Sequence, residues 1–219
     1  MHRLYYSPGA CSLAPHIVLE EIGAPYEIEH ISSKAGAMTQ TPEWMAKNPK
    51  GRVPALSGVP GRIGGAADLL TEAHAILVYL ARSHPEAGLL PADPAGEARA
   101  IEWMNWLSGA VHGQSYGQIW RPHRFVADPA LHAAVTAQGR RNVAEQYDYI
   151  ESLLADGRDW ALPGAYSVVD PYLLVFYRWG QVIEHDMGAQ HPAWTRLVER
   201  VVARPAVARV LAKEGIAIL

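Results

Sequence analysis

The chain changes its hydrophobic period part-way along, and this change limits the architectures it can adopt. Up to about residue 84 the sequence mixes short alternating runs with helical ones, whereas beyond residue 96 apolar residues recur every three or four positions. Alternation is typical of half-buried strands, and the longer period is typical of amphipathic helices. The sequence therefore predicts an α/β domain followed by an all-helical domain.

The N-terminal half begins as strand, helix and strand. Residues 26–30 alternate apolar and charged side chains, and residues 16–22 form a helical pattern that ends at a glycine. Such a helix between two strands is the βαβ unit, in which the strands are parallel and ligands bind at their carboxyl ends. Two short strands at residues 53–56 and 69–70 and a helix at residues 72–83 complete this domain.

A stretch rich in proline and other helix breakers separates the two halves. We therefore predict domains at residues 1–84 and 96–219 with a linker at residues 85–95. Ser167 and Asp170 have the spacing of a capping box, with Ser167 as the N-cap of a helix. Three apolar faces of helical period lie along the second half: Ile101, Met104, Leu107 and Val111; Val143, Tyr147, Ile150 and Leu154; and Trp194, Leu197, Val198 and Val201.

Composition excludes several classes of partner. The 219 residues carry a formal net charge of -3, without the basic excess that nucleic-acid binding requires. The single cysteine cannot form an internal disulfide, the N-terminus lacks a charged leader before an apolar segment, and no apolar stretch reaches the ~20 residues of a membrane span. No His-x-His or His-Glu-x-x-His pair is present. We expect a cytoplasmic protein with small-molecule or protein partners and with no nucleic acid, membrane or metal.

The only cysteine, Cys11, stands between a strand-like run that ends at Tyr6 and a helical pattern that begins at Ser12. At such a position unpaired N–H groups and the helix dipole lower a thiol pKa from about 8.5 to roughly 3.5–7.5. We therefore predict that Cys11 works as a thiolate. The alternative interpretation is that Cys11 is a small apolar core residue without chemistry.

Two further candidates lie later in the N-terminal half. Glu72 and Ala73 place a carboxylate and free N–H groups at a helix start, which suits the ammonium and carboxylate of one α-amino acid end. Val53 precedes Pro54 at the start of a strand, where a proline is either a plain edge feature or part of a cis peptide bond. In the alternative interpretation Thr71 and Glu72 are only helix-starting residues.

One histidine of the helical half is also a candidate. Four residues spaced three, four and three apart are predicted to share the helix face opposite the apolar one: Glu102, Asn105, Gly109 and His112. That face would border the cleft between the domains. Alternatively, His112 is a solvated surface histidine.

Four segments resemble glutathione S-transferases of the bacterial beta class: LYYSPGACSLAPH at 4–16, NPKGRVPAL at 48–56, LTEA at 70–73 and EWMNW at 102–106. The capping box at 167–170 resembles one that the wider family carries in its helical domain. The resemblance covers essentially the whole chain. It implies a thioredoxin-like βαβαββα domain followed by an all-helical domain, in a cytosolic homodimer that binds glutathione.

The resemblance implies roles for five residues of the first domain. Cys11 matches the residue that contacts the glutathione sulfur or forms a mixed disulfide with it. Val53 matches the residue whose backbone pairs with the cysteinyl part of glutathione, before a cis Pro54. Glu72 and the N–H of Ala73 match the groups that hold the γ-glutamyl end. Many relatives have serine instead of Ala73, so we expect the loss of one hydrogen bond, worth about 0.5–1.5 kcal/mol.

Further matches concern the sulfur and the far end of glutathione. His112 matches a histidine near the sulfur, and Asn105 matches a residue that in relatives reaches the ligand from the neighbouring subunit. Lys34 lies near the position of a lysine that meets the glycine carboxylate. The glycine-rich loop at residues 57–68 is longer than the tight turn of most relatives and has no assigned role.

The resemblance implies an enzyme that conjugates the glutathione thiol to small electrophilic or hydrophobic compounds, with glutathione as co-substrate. Thiol–disulfide exchange through Cys11 is a second chemistry within the same family. We expect the second substrate between the domains, with Tyr6, Tyr116 and Trp120 as candidate walls. The alternative is a binding or regulatory protein that keeps the fold without turnover, because a fold does not determine a function.

Overall fold

The computed structural model describes residues 1–34, 37–61 and 68–218. The first half contains these elements in order: β1 (His2–Tyr6), α1 (Leu13–Ile22), β2 (Tyr26–His30), α2 (Pro42–Lys47), β3 (Ala55–Ser57), β4 (Leu69–Thr71) and α3 (Ala73–Ser83). The described strands form one sheet in the order β2-β1-β3-β4, in which β1 and β2 are parallel and the other two pairs are antiparallel. This arrangement confirms the predicted thioredoxin-like βαβαββα domain.

Helix α1 connects the two parallel strands. It ends where the sequence predicts, because Gly23 adopts a φ of +73° and its N–H donates to the Leu19 carbonyl. Strand β2 pairs with β1 in register, with Leu4 opposite Ile28. The carboxyl end of β1 therefore opens directly into the loop that carries Cys11.

Strand β3 begins at Ala55, two residues later than predicted. Pro54 has no N–H to donate to a neighbouring strand, so it lies before the ladder and not within it. Strand β4 spans Leu69–Thr71 and pairs antiparallel with β3, as the two predicted strands require. Residues 62–67 of the predicted loop at 57–68 lie outside the described residues.

The described second half is helical, which confirms the predicted all-helical domain. Its helices are α4 (Pro94–Trp106), a π-helix (Leu107–Tyr116), α5 (Gly117–Trp120), α6 (His132–Leu154), α7 (Val169–Val182), α8 (Met187–Gln190), α9 (Pro192–Val202) and α10 (Pro205–Glu214). Short 3-10 turns lie at Pro85–Ala87, Pro122–Arg124 and Pro129–Leu131. Helix α1 of the first half packs against α7 and α10, so the two halves share one core.

The π-helix overturns the predicted shared face of residues 102–112. A π-helix has i→i+5 hydrogen bonds and more residues per turn than an α-helix, and π segments are frequent at functional sites. Asn105 lies on α4 and is exposed, whereas His112 lies within the π-helix and packs on Trp179. The three-and-four spacing therefore does not place these residues on one face.

The predicted apolar faces are buried, with the exception of Ile101, which is only partly buried. The capping box is present, although α7 begins at Val169, one residue later than predicted. The Val169 N–H donates to the Ser167 hydroxyl, and the Asp170 carboxylate accepts the Ser167 N–H at 2.7 Å. Asp170 also accepts the Ala161 N–H at 2.8 Å, and burial raises the pKa of its carboxyl to about 6.

The domain boundaries stay a prediction. The predicted linker at 85–95 contains the turn Pro85–Ala87, and α4 already begins within it at Pro94. Leu89 is buried, and its carbonyl accepts the Val168 N–H at 2.9 Å, so the connection is packed against the helical half. Within the described residues, no helix combines the length and apolar character needed to cross a bilayer.

Candidate active site

A cavity of about 930 Å³ lies between the two halves. The loop at 7–11, residues 50–54 and residues 71–73 line it from the first half, which places it at the carboxyl end of β1. The π-helix, α5 and α7 line it from the second half. The cavity brings together most of the residues that the sequence predicts: Cys11, Lys34, Val53, Pro54, Glu72, Ala73 and His112.

Cys11 lies in the cavity wall, but as a protonated thiol. It is only 6% exposed, and its Sγ donates a long hydrogen bond of 3.5 Å to the Val53 carbonyl. Burial raises the pKa of the thiol to about 12, and the positive charges of Arg121 and Arg52 offset only part of that effect. Helix α1 begins two residues further on, at Leu13. The prediction that Cys11 is a thiolate is therefore wrong, because burial raises the pKa of its thiol more than the nearby helix start lowers it.

Alkylation by iodoacetamide tests this protonation state. Because the thiolate is the reactive form, we expect the native protein at pH 7 to react at least about 100-fold more slowly than the chain unfolded in urea. The native rate should still rise with pH above pH 10. A native rate that levels off below about pH 8.5 would instead restore the predicted thiolate.

The segment before β3 lies across from Cys11. The peptide bond between Val53 and Pro54 is cis, as the resemblance implies. Val53 and Pro54 are both buried and both line the cavity, with the Val53 carbonyl directed at the Cys11 sulfur. A peptide backbone laid along Val53 would therefore end beside the thiol.

Glu72 stands between β4 and α3 in an unusual backbone conformation. Its φ of +74° lies in a region that residues with a Cβ rarely adopt, and such strain clusters at functional sites. Its carboxylate accepts a hydrogen bond of 2.6 Å from the Lys50 ammonium, which also donates to the Thr71 hydroxyl. Ala73 is the first residue of α3, so its N–H has no partner within the helix. A carboxylate and a helix N-terminus therefore meet at one point of the cavity.

His112 is held in the cavity wall by aromatic contacts. Its ring meets the Trp179 ring edge to face at 4.8 Å between centroids, and it also contacts Phe176. Burial, together with the positive charges of Arg121 and Arg52, lowers the pKa of His112 to about 4. His112 is therefore neutral at pH 7, and the solvated surface histidine of the alternative interpretation is wrong.

The other sequence candidates separate into two groups. Lys34, Tyr116 and Trp120 line the cavity. Asn105 is exposed and lies beside His74, outside the residues that line the cavity. The prediction that Tyr6 lines the cavity is wrong, because its ring packs on His16 and His30 in the core. The two remaining aromatic candidates, Tyr116 and Trp120, both belong to the helical half.

The structure adds an anchor that the sequence does not reveal. Gly9, in the loop that carries Cys11, donates its N–H to Glu214 Oε2 at 2.8 Å, and its carbonyl accepts the Trp179 indole N–H at 2.9 Å. Glu214 Oε1 lies 2.7 Å from His16 Nδ1, and both side chains are fully buried. A residue near the end of the chain therefore fixes the loop beside the cavity. No local pattern could have linked positions 205 residues apart.

Several basic residues of the cavity were not predicted from the sequence. Lys50 and Arg52 belong to the NPKGRVPAL segment, whose two positive charges are the signal that could have identified them. Arg121 and Arg124 follow α5 on a short turn, and their place in the cavity depends on how the helical half packs. Arg178 reaches the cavity from α7 and donates to the Gly9 carbonyl.

Comparison with known proteins assigns this architecture. The family model "Glutathione S-transferase, N-terminal domain" matches residues 2–82, and "Glutathione S-transferase, C-terminal domain" matches residues 123–205. The chain belongs to the glutathione S-transferase family. The cavity residues of the first half, and those from His123 onward in the helical half, therefore lie in the matched ranges.

Individual relatives extend over nearly the whole chain. Glutathione S-transferase GstA of Escherichia coli O157:H7 is 31% identical over 98% of this chain and 99% of its own length. A Sulfitobacter glutathione transferase homologue, solved with bound glutathione, superposes with a TM-score of 0.87 at 33% identity over 99% of both chains. A beta-class glutathione S-transferase of Sphingomonas chungbukensis superposes with a TM-score of 0.79 at 29% identity over 98% of this chain and 100% of its own.

Proposed function

We propose that this member of the glutathione S-transferase family is an enzyme that joins the thiol of glutathione to a small electrophile. The observation that carries the proposal is the meeting of the Glu72 carboxylate and the N-terminus of α3 in the cavity. The γ-glutamyl end of glutathione carries an ammonium and a carboxylate on one carbon atom, which complement that pair. The glutathione bound in the Sulfitobacter homologue supports the same ligand.

The remaining cavity residues follow the length of the tripeptide. With the γ-glutamyl end at Glu72 and Ala73, the cysteinyl part would lie along Val53, and its sulfur would point towards Cys11. Lys34, exposed at the cavity wall, would then meet the glycine carboxylate. These roles for the individual residues are part of the proposal.

The protonated Cys11 suits conjugation. A thiol with a raised pKa is a hydrogen-bond donor, so its S–H can donate to a neighbouring thiolate and does not compete as a second anion. Glutathione loses its thiol proton to solvent, its sulfur forms the new bond to the electrophilic carbon, and the leaving group departs with the bonding electron pair. Positive charge from Arg121 and Arg52 near Cys11 would stabilise the thiolate.

Thiol–disulfide exchange remains a second candidate activity because the Cys11 sulfur lies in the cavity wall. Exchange requires a thiolate on the attacking cysteine, and a pKa of about 12 leaves Cys11 almost entirely protonated at neutral pH. We therefore propose conjugation as the main reaction. The binding protein without turnover, the alternative function, would bind glutathione without consuming an electrophile.

We also propose a homodimer. Asn105 is exposed and lies away from the cavity of its own chain, which suits a residue that reaches a ligand in a neighbouring subunit. Sedimentation velocity tests the assembly, and a monomer at micromolar concentration would contradict it. The cytoplasmic location stays a prediction.

Glu72→Gln tests the proposed function most directly. We expect the variant to bind glutathione more weakly by about 1.5–3 kcal/mol, the range for a hydrogen bond to a charged group, because glutamine cannot neutralise the ligand ammonium. Calorimetric titration with glutathione measures the change in dissociation constant. Turnover of an electrophile such as 1-chloro-2,4-dinitrobenzene, followed as the thioether product forms, distinguishes the enzyme from a binding protein.

Glu102→Gln is the matched control. Glu102 is also exposed and also paired with a cation, Arg99, but it lies outside the cavity-lining residues. Its replacement should leave glutathione affinity unchanged. Equal affinities in the Glu72 and Glu102 variants would contradict the proposed position of the γ-glutamyl end.

A further inference from the structure

Cationic side chains outnumber anionic ones in the wall of the cavity. Within the described chain, six of them line it: Lys34, Lys50, Arg52, Arg121, Arg124 and Arg178. The one carboxylate among the lining residues is that of Glu72, and it is already paired with the Lys50 ammonium. The whole chain has a net charge of -3, so this positive charge is a local property of the cavity.

Three of the arginines have no anionic partner among the described residues. In the described part of the chain, no carboxylate oxygen lies within 4.0 Å of Arg52, Arg121 or Arg124. Burial, followed by the charge of Arg52, lowers the pKa of Arg121, and burial, followed by Arg121 and Arg52, lowers that of Arg124. The three guanidiniums therefore repel one another across the cavity, an arrangement that an anionic ligand would relieve.

An aromatic surface lies next to these arginines. The Trp120 ring packs on Tyr116 and Trp179 at 4.6 and 4.9 Å between centroids. Trp120 is nevertheless 39% exposed, and Phe125, which also lines the cavity, is 44% exposed. Flat apolar faces are thus open to a ligand beside the turn that carries Arg121 and Arg124.

The structure assigns this end of the cavity to an aromatic electrophile that carries an anionic substituent, with Arg121 and Arg124 holding the anion and Trp120 the ring. This inference rests on the proposed function and names its second substrate. Both arginines belong to the helical half, whereas Glu72 and α3 belong to the first half. The planar guanidinium fork binds a carboxylate through two parallel hydrogen bonds, and the partial burial of Arg121 strengthens that attraction.

The reaction balances without any further reactant. With an aryl chloride, the glutathione sulfur bonds to the ring carbon that carries chlorine, the carbon–chlorine bond breaks, and chloride leaves with the bonding pair. The thiol proton passes to solvent. The anionic substituent keeps its charge throughout, so its role is to bind and orient the ring.

A matched pair of substrates tests the inference. The pair is 4-chloro-3,5-dinitrobenzoate and its methyl ester, which share a ring and a leaving group and differ in charge. For each we measure kcat/KM with glutathione and divide it by the rate without enzyme, because the ester is the more electrophilic. We expect the normalised acid-to-ester ratio to exceed about 10 in the wild type, and the KM for the acid to rise with ionic strength.

The variants Arg121→Gln and Arg124→Gln should each lower that ratio by about 10- to 100-fold, the loss of one charge-assisted hydrogen bond. Arg200→Gln is the control, because Arg200 pairs with Asp159 and lies outside the cavity-lining residues. Its ratio should equal that of the wild type. The ratio is internal to each protein, so differences in the amount of active enzyme cancel.

The results that would contradict the inference differ from those that would contradict the proposed function. A wild-type ratio near 1, or a ratio that Arg121→Gln leaves unchanged, overturns the inference while ester turnover keeps the proposed function. If Arg121→Gln weakens glutathione binding by the same factor, the guanidinium acts on glutathione and not on the substituent of the electrophile, which also overturns it. Absence of both turnover and glutathione binding overturns the proposed function itself.

Discussion

Replacing Glu214 with alanine is expected to lower the free energy of unfolding by about 2–6 kcal/mol, because each of two buried hydrogen-bond donors left without an acceptor costs about 1–3 kcal/mol. Glu214 and His16 are fully buried, and the second Glu214 oxygen accepts the Gly9 N–H. Alanine leaves both buried donors without an acceptor. Urea denaturation at pH 7 measures the loss.

Two further variants control this result. Glu199 is an exposed glutamate on α9, and Glu199→Ala should change stability by less than about 0.5 kcal/mol. Glu214→Gln keeps one oxygen for Gly9, so it should lose less stability than the alanine variant. A loss below about 1 kcal/mol in Glu214→Ala would show that the anchor contributes little to the fold.

Replacing Cys11 with alanine is expected to abolish whatever exchange with a glutathione mixed disulfide the wild type shows, while conjugation of an aromatic electrophile remains measurable. Exchange needs a sulfur on the protein, and Cys11 is the only cysteine in the chain. Conjugation uses the thiolate of glutathione itself, supported by N–H groups and cationic side chains of the cavity. Assays of wild type and variant with both substrates separate the two chemistries.

Cys11→Ser sharpens the comparison. Serine keeps a hydrogen-bond donor at this position but cannot form a disulfide, so it should also lose exchange. If the Cys11 thiol helps by donating to the thiolate, conjugation should be faster in the serine variant than in the alanine variant. Undiminished exchange in either variant would reject the nucleophile role, and loss of all conjugation in both would show that the reaction needs the sulfur.

Some parts of the site could be predicted from short segments. Gly23 ends α1 because a residue with positive φ was needed there, and Glu72 stands at the start of α3 because a short strand gives way to a helical pattern. The cis bond before Pro54 came from the resemblance, and not from the spacing of the residues. Such features depend on a few neighbouring residues, so the sequence alone was enough.

The state of the thiol could not be predicted in this way. Position near a helix start argues for a thiolate at Cys11, but desolvation depends on everything that packs around the sulfur, including Val53. The packing of His112 on Trp179 was likewise not predictable, since nothing local signals that residues 107–116 form a π-helix. The strength of burial and the rotation of a helix are both set by packing.

By itself the sequence determined the strands of the first half, the helices α1 and α3, the change of period between the halves and the residues that resemble a known family, because each depends on local pattern. Only the tertiary structure decided that Glu214 fixes the Gly9 loop and that arginines from separate segments face one cavity. Both features depend on contacts between residues that are far apart in the chain. Burial and charge act through space at these contacts, so the number of residues between two positions does not predict them.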